Sequence, residues 1–311
     1  MDIDNRSRSQ SVSRCQTKGD SMLARVIAGK LRILSFVVAL LSGLPLALSF
    51  TAHAQRLPDL IVNQQILQNH WIVRDEDFLA TTCSVQEGGV QPGTHRVLRF
   101  TVNTPNVGAG DLALGDPNVH VANNDGLYEF ATCHHHFHFR HYTIDQLISV
   151  TTGQVWRVAK RGFCMIDVKP AGDLGIEPPG QPQFRVCGRV GVPGNQGISA
   201  SWADEYIWFL GGQYFVLDGG DGQAVVPPGD YIIRVTVNPP FIPDPANPQD
   251  VCRFRDAQGF CHQLPESNYS NNVAEARITI PDHPGRSGFG PGGSDGPIPS
   301  GERDEHGDLI Q

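Results

Sequence analysis

The sequence has little positive charge, which excludes one class of function before any motif is considered. It contains 24 Lys and Arg residues against 32 Asp and Glu residues, a formal net charge of −8. An acidic surface repels nucleic acid and attracts cationic amines or lysine-rich proteins. We therefore expect no nucleic-acid partner.

The sequence also lacks a long helical period and any internal repeat. Short runs of alternating apolar residues lie instead between turns rich in glycine and proline, of which the chain has 34 and 23. The clearest predicted strands are 95–102, 231–237 and 274–280. We predict an all-β fold, a single β-sandwich-like domain with long loops and little helix. Residues 239–265 are expected to form a long loop insertion.

The chain has one long hydrophobic run, residues 33–50, close to its beginning. Basic residues precede the run, and the small-residue sequence Ala52-His53-Ala54 follows it. This order predicts a secretory signal cleaved after Ala54, and hence a secreted or periplasmic protein without a membrane contact. The length of the run, 18 residues, leaves an uncleaved anchor as the alternative, and Met22 is a second candidate start.

Removal of residues 1–54 changes both the charge and the cysteine count. It leaves 17 basic and 29 acidic residues, a net charge of −12, and it removes Cys15. An even number of cysteines in an exported chain indicates disulfides. The six that remain are Cys83, Cys133, Cys164, Cys187, Cys252 and Cys261. Cys252 and Cys261 are close enough in sequence to close their own loop.

The segment 133–138 reads Cys-His-His-His-Phe-His and places imidazoles at alternate positions. Alternate side chains of a strand point to one face, so His134, His136 and His138 are aimed at a common point. In a flat strand the outer rings would splay apart, and we therefore expect a bend or a strand end here. His135 would then face the other way.

Three neutral imidazoles are typical ligands of Cu(II) or Zn(II), and Cu(II) ranks highest in affinity for such nitrogen sites. The histidines predict a metal site without naming its metal. The alternative is a solvent-exposed, histidine-rich loop.

Two further motifs follow the histidines. Residues 160–164 read Lys-Arg-Gly-Phe-Cys, and residues 197–206 hold Gly-Ile-Ser followed by Trp202-Ala-Asp-Glu-Tyr206. With the histidines, and in this order, they resemble the lysyl oxidase family of copper amine oxidases. The resemblance covers about residues 58–280. It implies a catalytic domain at 55–282, after the signal. The Gly, Pro and charged residues that follow predict a disordered tail at 283–311.

The resemblance implies a role for each motif residue. His134, His136 and His138 match the copper ligands, and Lys160 and Tyr206 match the precursors of lysine tyrosylquinone. Asp204 matches a carboxylate that could serve as the base. The implied activity is oxidative deamination of primary amines, or of lysine in peptides and proteins, by O₂. Its products are an aldehyde, ammonia and hydrogen peroxide.

The resemblance also implies a calcium site and a disulfide. Its ligands would be Asp59, Leu60 through its carbonyl, Glu266, Asn268, Asn271 and Asn272. Asn268 departs from the animal enzymes, which have an Asp there, and loses one negative charge. The family pattern suggests Cys133 paired with Cys187, which leaves Cys83 with Cys164.

Each of these residues also has an ordinary interpretation. Lys160 alone would be a solvated surface lysine, Tyr206 an aromatic core residue and Asp204 a turn former. Two other functions therefore stay open. One is hydrolysis by a three-histidine zinc site, which would leave Lys160 and Tyr206 unmodified. The other is a calcium-stabilised, non-catalytic binding or structural domain.

Overall fold

The structure is a computed structural model and describes residues 56–160, 162–177 and 180–285. The predicted signal and the tail from residue 286 onwards lie outside these described residues. None of the helices in the described ranges is long and apolar enough to cross a membrane.

Strands dominate the described part of the chain, as the all-β prediction required. They are β1 Trp71–Phe78, β2 Gly93–Phe100, β3 Val102–Pro105, β4 Leu112–Gly115, β5 Tyr128–Ala131, β6 His136–Phe139, β7 Thr143–Ser149 and β8 Val155–Arg157. They continue with β9 Lys169–Pro170, β10 Gln196–Ile198, β11 Trp202–Tyr206, β12 Tyr214–Val216, β13 Gly229–Val237, β14 Phe254–Arg255, β15 Cys261–His262 and β16 Val273–Ile280.

Helix in the same ranges is short. The α-helices are α1 Gln64–Asn69, α2 Cys83–Gln86 and α3 Pro117–Ala122, and Ala171–Leu174 forms one 3₁₀ turn. Asn63 caps α1 by accepting from the Ile66 amide, and Asp116 caps α3 by accepting from the Asn118 amide. These caps satisfy amides that a helix start leaves without intrahelical partners.

The strands are divided among several small antiparallel sheets. Within the described residues the largest has the order β16-β13-β7-β8, and three-stranded sheets have the orders β1-β2-β12 and β3-β11-β9. Three pairs, β10-β4, β14-β15 and β5-β6, complete the set. One large buried cluster of apolar side chains joins the sheets, and in it Phe100 stacks on Phe215 with ring centroids 4.9 Å apart.

The predicted strands are confirmed in position. The 231–237 and 274–280 predictions correspond to β13 and β16, which pair along their whole length. The 95–102 prediction is divided between β2, which pairs with β1, and β3, which pairs with β11. The predicted loop at 239–265 holds only the two-residue strands β14 and β15 among its described elements.

Three disulfides form among the described residues, and two predicted pairings are wrong. Cys252–Cys261 is confirmed, whereas Cys133 bonds Cys83, and Cys164 bonds Cys187. The expected Cys133–Cys187 bond fails for a local reason. The Phe137 amide donates to the Gly188 carbonyl, which places Cys187 beside β6. Cys133 lies in the turn that leads into β6, where it bonds Cys83 at the start of α2.

Candidate metal and cofactor site

The histidine segment bends where the metal-site hypothesis requires it. Residues 132–135 form a turn, β6 begins at His136, and His135 has a positive φ of 59°. Left-handed backbone is uncommon outside glycine, so this turn is a specific feature of the segment. The bend turns the exposed ring of His135 outward and leaves the rings of His134, His136 and His138 together.

Two of the three ring spacings lie in the range for ligands of one ion, and the spacing of His134 and His136 is slightly larger. Their centroids lie 5.7 Å apart for His134 and His136, 5.2 Å for His134 and His138, and 4.9 Å for His136 and His138. Three imidazoles bound at about 2.0–2.1 Å would have centroids roughly 4.5–5.5 Å apart. Nε2 of His136 lies 3.1 Å from Nε2 of His138. That distance suits two ligands of one ion, and it equally suits a hydrogen bond between the two rings.

The nitrogens do not form a closed ligand set as the side chains stand. In the described ranges, no group of three or more His, Cys, Asp or Glu side chains is arranged to hold a metal ion. Three neutral imidazole donors are nevertheless a donor set that suits copper. The residues therefore fit the metal by type and ring spacing, and binding requires the nitrogens to draw together.

A small cavity adjoins the cluster. Its volume is about 20 Å³, enough for about one water molecule or ion. Its lining includes His134, His138, Lys160 and Glu87. Nδ1 of His134 lies 2.8 Å from Oε1 of Glu87. Two of the three predicted metal ligands and the predicted cofactor lysine thus meet at one cavity.

Lys160 and Tyr206 come together although 46 positions separate them in the sequence. The Lys160 ammonium nitrogen lies 4.5 Å from the centre of the Tyr206 ring and 5.2 Å from the centre of the Phe163 ring. The Tyr206 hydroxyl donates to the Cys164 carbonyl at 2.7 Å, and only 1% of Tyr206 is exposed. Lys160 therefore faces an enclosed and oriented tyrosine ring.

Backbone contacts explain this approach. The Phe139 amide donates to the Phe163 carbonyl at 2.6 Å, which places the segment after Lys160 beside β6. The Ala159 amide donates to the Tyr214 carbonyl at 2.9 Å on the other side. Gly212 packs on the backbone of Lys160, where a Cβ would lie 3.0 Å from Lys160 Cα. The lysine is thus held between β6 and β12.

Asp204, the predicted base, lies on β11 two residues before Tyr206, so both side chains share one face of the strand. It is completely buried and does not line the cavity. Burial raises the pKa of Tyr142, and the negative charge of Asp204 contributes in the same direction. The surroundings of Asp204 therefore include the phenol of Tyr142.

A second buried carboxylate, Asp145 on β7, was not predicted from the sequence. Burial raises its pKa from 3.8 to about 6, while Thr143, the charge of Lys160 and Gln213 act to lower it. Neither of its carboxylate oxygens has a hydrogen bond of ordinary geometry among the described residues. Asp145 is thus a buried acid within electrostatic reach of Lys160.

Most of the predicted calcium ligands also come together. Oε2 of Glu266 accepts from the Leu60 amide at 2.7 Å, and Oε1 accepts from the Asn272 side chain at 2.8 Å. Oδ1 of Asp59 accepts from the Asn271 side chain at 2.9 Å. The first described segment of the chain is therefore tied to the loop before β16. Asn268 is exposed and bonds locally, accepting from the amide and hydroxyl of Ser270.

The chemistry of this cluster fits a hard cation. The Oδ1 atoms of Asn271 and Asn272 are buried without a hydrogen-bond partner in the part of the chain described here. Burial raises the pKa of Glu266 to about 7, and the charge of Asp59 acts in the same direction. Amide oxygens without donors, beside two carboxylates, are what a calcium ion would satisfy.

Two residues of the site, Glu87 and Asp145, carried no recognisable signal in the sequence. Glu87 belongs to no motif and reaches His134 only because α2 is joined to the histidine segment by the Cys83–Cys133 bond. Asp145 lies in a strand whose neighbouring residue, Ile144, is 47% exposed. The usual alternation of apolar and polar residues in a half-buried strand would have placed Ile144 in the core and Asp145 on the surface.

Comparisons with known proteins identify the family of the chain. The family model described as Lysyl oxidase matches residues 58–255. Human lysyl oxidase homolog 2 is 25% identical over 245 residues, which are 75% of this chain and 26% of that protein. The rat protein of the same name is 25% identical over 236 residues, 73% of this chain and 25% of that protein. The chain thus spans about a quarter of the length of these relatives.

A shorter relative is matched over most of its length. Protein-lysine 6-oxidase of Sus scrofa is 27% identical over 241 residues, 73% of this chain and 78% of that protein. Fold and site together define an all-β protein with a histidine cluster and a lysine–tyrosine pair beside one cavity. The chain belongs to the lysyl oxidase family.

Proposed function

We propose that this protein is a copper-dependent amine oxidase of the lysyl oxidase type, in which Lys160 and Tyr206 form the quinone cofactor. It would convert primary amines, including peptidyl lysine, to aldehydes with release of ammonia and hydrogen peroxide. The observation that carries the proposal is the 4.5 Å approach of the Lys160 nitrogen to the Tyr206 ring, beside the histidine-lined cavity. A zinc hydrolase or a structural domain has no need of that pair.

When present, copper and the quinone supply a carbonyl for the amine and a route for electrons to O₂. The residues of the chain provide position and proton transfer. Tyr206 is oriented by its hydrogen bond to Cys164 and by the edge of the Phe163 ring, whose centroid lies 5.0 Å away. Lys160 is within a short side-chain movement of the ring to which it must bond. The acidic surface would attract cationic substrates.

The proton acceptor is a carboxylate in this proposal. Asp204 remains the candidate that the family resemblance supplies, and its place on the same strand face as Tyr206 supports it. Asp145 is a second candidate, because its raised pKa suits a group that takes up protons near neutral pH. Each carboxylate is replaced in turn by Asn, and kcat is measured for the normal amine and for the amine deuterated at the carbon that loses the proton. Only loss of the true base should slow the proton-transfer step and so increase the dependence of kcat on deuteration.

We also propose calcium binding by Asp59, Leu60, Glu266, Asn271 and Asn272, with Asn268 a further candidate. The orphan amide oxygens and the paired carboxylates support it. Such an ion would join the start of the domain to its last strand. Its role would be structural, since these residues belong to a separate cluster from the cavity lining.

The test of the oxidase proposal is a peptide map of protein loaded with copper in air. A tryptic digest should contain a peptide in which Lys160 is covalently joined to Tyr206, and phenylhydrazine should give a coloured adduct. Lys160→Arg and Tyr206→Phe should each abolish both signals. The matched controls Lys169→Arg and Tyr231→Phe, which alter a surface lysine and a tyrosine of β13, should keep them.

Peroxide release from a primary amine should accompany the cross-link. Unmodified Lys160 and Tyr206 peptides, together with no peroxide, would exclude the oxidase and leave the zinc hydrolase and the structural domain as the remaining functions.

A further inference from the structure

The carboxylate of Glu87 contacts a predicted metal ligand, although it belongs to none of the motifs. Its Oε1 lies 2.8 Å from Nδ1 of His134, and the two side chains are 26% and 9% exposed. We infer that Glu87 is a positioning residue for the metal site: it holds His134 in the tautomer that can bind copper. This inference rests on the proposed function, in that it takes the three histidines as the metal ligands.

The chemistry of the contact selects the tautomer. An ionised carboxylate can only accept hydrogen bonds, so Nδ1 of His134 must be the nitrogen that carries the proton. In a neutral imidazole the other nitrogen, Nε2, then holds the lone pair. Metal-bound histidines commonly donate their second ring nitrogen to a carboxylate, which fixes the ring and makes it a stronger ligand.

A short and rigid part of the fold places Glu87 beside His134. Glu87 ends α2, and its amide donates to the Cys83 carbonyl at 2.8 Å. Cys83 at the start of that turn is bonded to Cys133, the residue directly before His134. Gly88 follows with a left-handed φ of 78°, which terminates the helix at Glu87. One helical turn and one disulfide therefore connect the carboxylate to the ligand.

Glu87 also lies at the metal cavity itself. It lines the same cavity of about 20 Å³ as His134, His138 and Lys160. The hydrogen bond is thus made beside the position that the ion would take, and it is partly shielded from water. A shielded, charge-assisted hydrogen bond is stronger than an exposed one.

The test compares Glu87→Gln, Glu87→Ala and a control, Glu275→Gln. The control removes the same charge from an exposed ion pair with Arg234 on the sheet β16-β13-β7-β8. Copper affinity is measured by competition with a chelator of known affinity, and the Cu(II) site is followed by electron paramagnetic resonance. Loss of a residue of this kind weakens metal binding about 10–100-fold. We expect about 100-fold for Glu87→Ala and about 10-fold for Glu87→Gln, which keeps an acceptor oxygen but loses the charge.

The electron paramagnetic resonance spectrum distinguishes a change in the position of His134 from a general loss of folding. Glu87→Ala should shift the Cu(II) parameters of the protein that still binds, while Glu275→Gln should match the wild type in both affinity and spectrum. Melting curves of the metal-free variants report whether they fold. If Glu87→Ala does not fold, the copper affinity and the Cu(II) spectrum of the isosteric Glu87→Gln are compared with those of the wild type instead.

Two failures are distinguishable. Wild-type affinity and an unchanged spectrum in the folded Glu87 variants would overturn the inference and leave copper binding by the histidines intact. A wild-type protein that binds no copper would instead overturn the proposed function, and the inference with it.

Discussion

Gly162 lies against the ring of His138 so closely that no larger residue fits between them. A Cβ at position 162 would stand 2.5 Å from both Cβ and Nδ1 of His138. The glycine follows Lys160 by two positions, so a single close approach sets the distance between β6, with its predicted metal ligands, and the predicted cofactor lysine. This contact couples two parts of the site that are 22 positions apart in the sequence.

Gly162→Ala should therefore disturb the site more than the fold. We expect it to displace His138 and to lower both copper content and Lys160–Tyr206 cross-linking, at a cost of about 1–3 kcal/mol in the free energy of unfolding. Metal analysis, peptide mapping and denaturant unfolding measure the three effects. Gly172→Ala is the control, because a Cβ at Gly172 meets nothing within 4 Å. Normal copper content and cross-linking in Gly162→Ala would show that β6 and the lysine segment adjust independently.

His136→Ala should remove most of the copper from a protein that otherwise binds about one ion per chain. The physical reason is that the remaining two imidazoles hold copper less tightly than three. His135→Asn is the matched control, since His135 is exposed and Asn tolerates its left-handed backbone. Elemental analysis after gel filtration measures the content. Full copper retention by His136→Ala would remove the histidine cluster as the metal site.

Calcium should stabilise the copper-free protein through the Asp59–Glu266 cluster. An ion at about 100 times its Kd adds about 2.7 kcal/mol, which for a domain of this size raises Tm by roughly 5–10 °C. Asp59→Ala should abolish that rise, and magnesium should not reproduce it, because Mg²⁺ dehydrates reluctantly and prefers a stricter geometry. Thermal scans with and without calcium provide the measurement. An identical Tm in both would count against the site.

Asp145 should make stability depend on pH. Its pKa is raised from 3.8 to about 6 in the folded state, so the folded protein binds more protons than the unfolded chain between these values. The protonated carboxyl makes its full contribution to the free energy of unfolding below about pH 4, and this contribution is lost as the pH rises through about 6. The size of the loss is about 3 kcal/mol.

Asp145→Asn removes this ionisation and should remove the corresponding part of the pH profile. Urea unfolding of the metal-free wild type and variant at pH 4, 5, 6 and 7 gives the comparison. Two profiles that stay parallel across this range would mean that Asp145 does not titrate there in the folded protein.

The two-residue alternation of side chains along strands predicted part of the fold and part of the candidate site. β13 and β16 were predictable because their inward faces are apolar along an unbroken strand. The shared face of His136 and His138 was predictable for a related reason, since side-chain direction in a strand is a local property. The bend that brings His134 to them was expected because a flat strand would splay the outer rings. The Lys160–Tyr206 approach could be expected only from the family resemblance. Spacing within the chain says nothing about a contact across 46 positions.

Other features depended on how distant segments pack. The Cys83–Cys133 and Cys164–Cys187 bonds follow from the position of the turn at 132–135 relative to α2 and the chain after β9. Asp145 points inward because β7 is placed by its pairing with β13 and β8, against its own apolar alternation.

The sequence by itself determined the strands, the histidine spacing and the order of the motifs, because each depends on neighbouring residues and on backbone geometry that repeats every two positions. Only the tertiary structure decided which carboxylates lie near the candidate site, Glu87 beside His134 and Asp145 near Lys160. A carboxylate acquires such a partner through burial and long-range contacts, and these exist only once the sheets have packed.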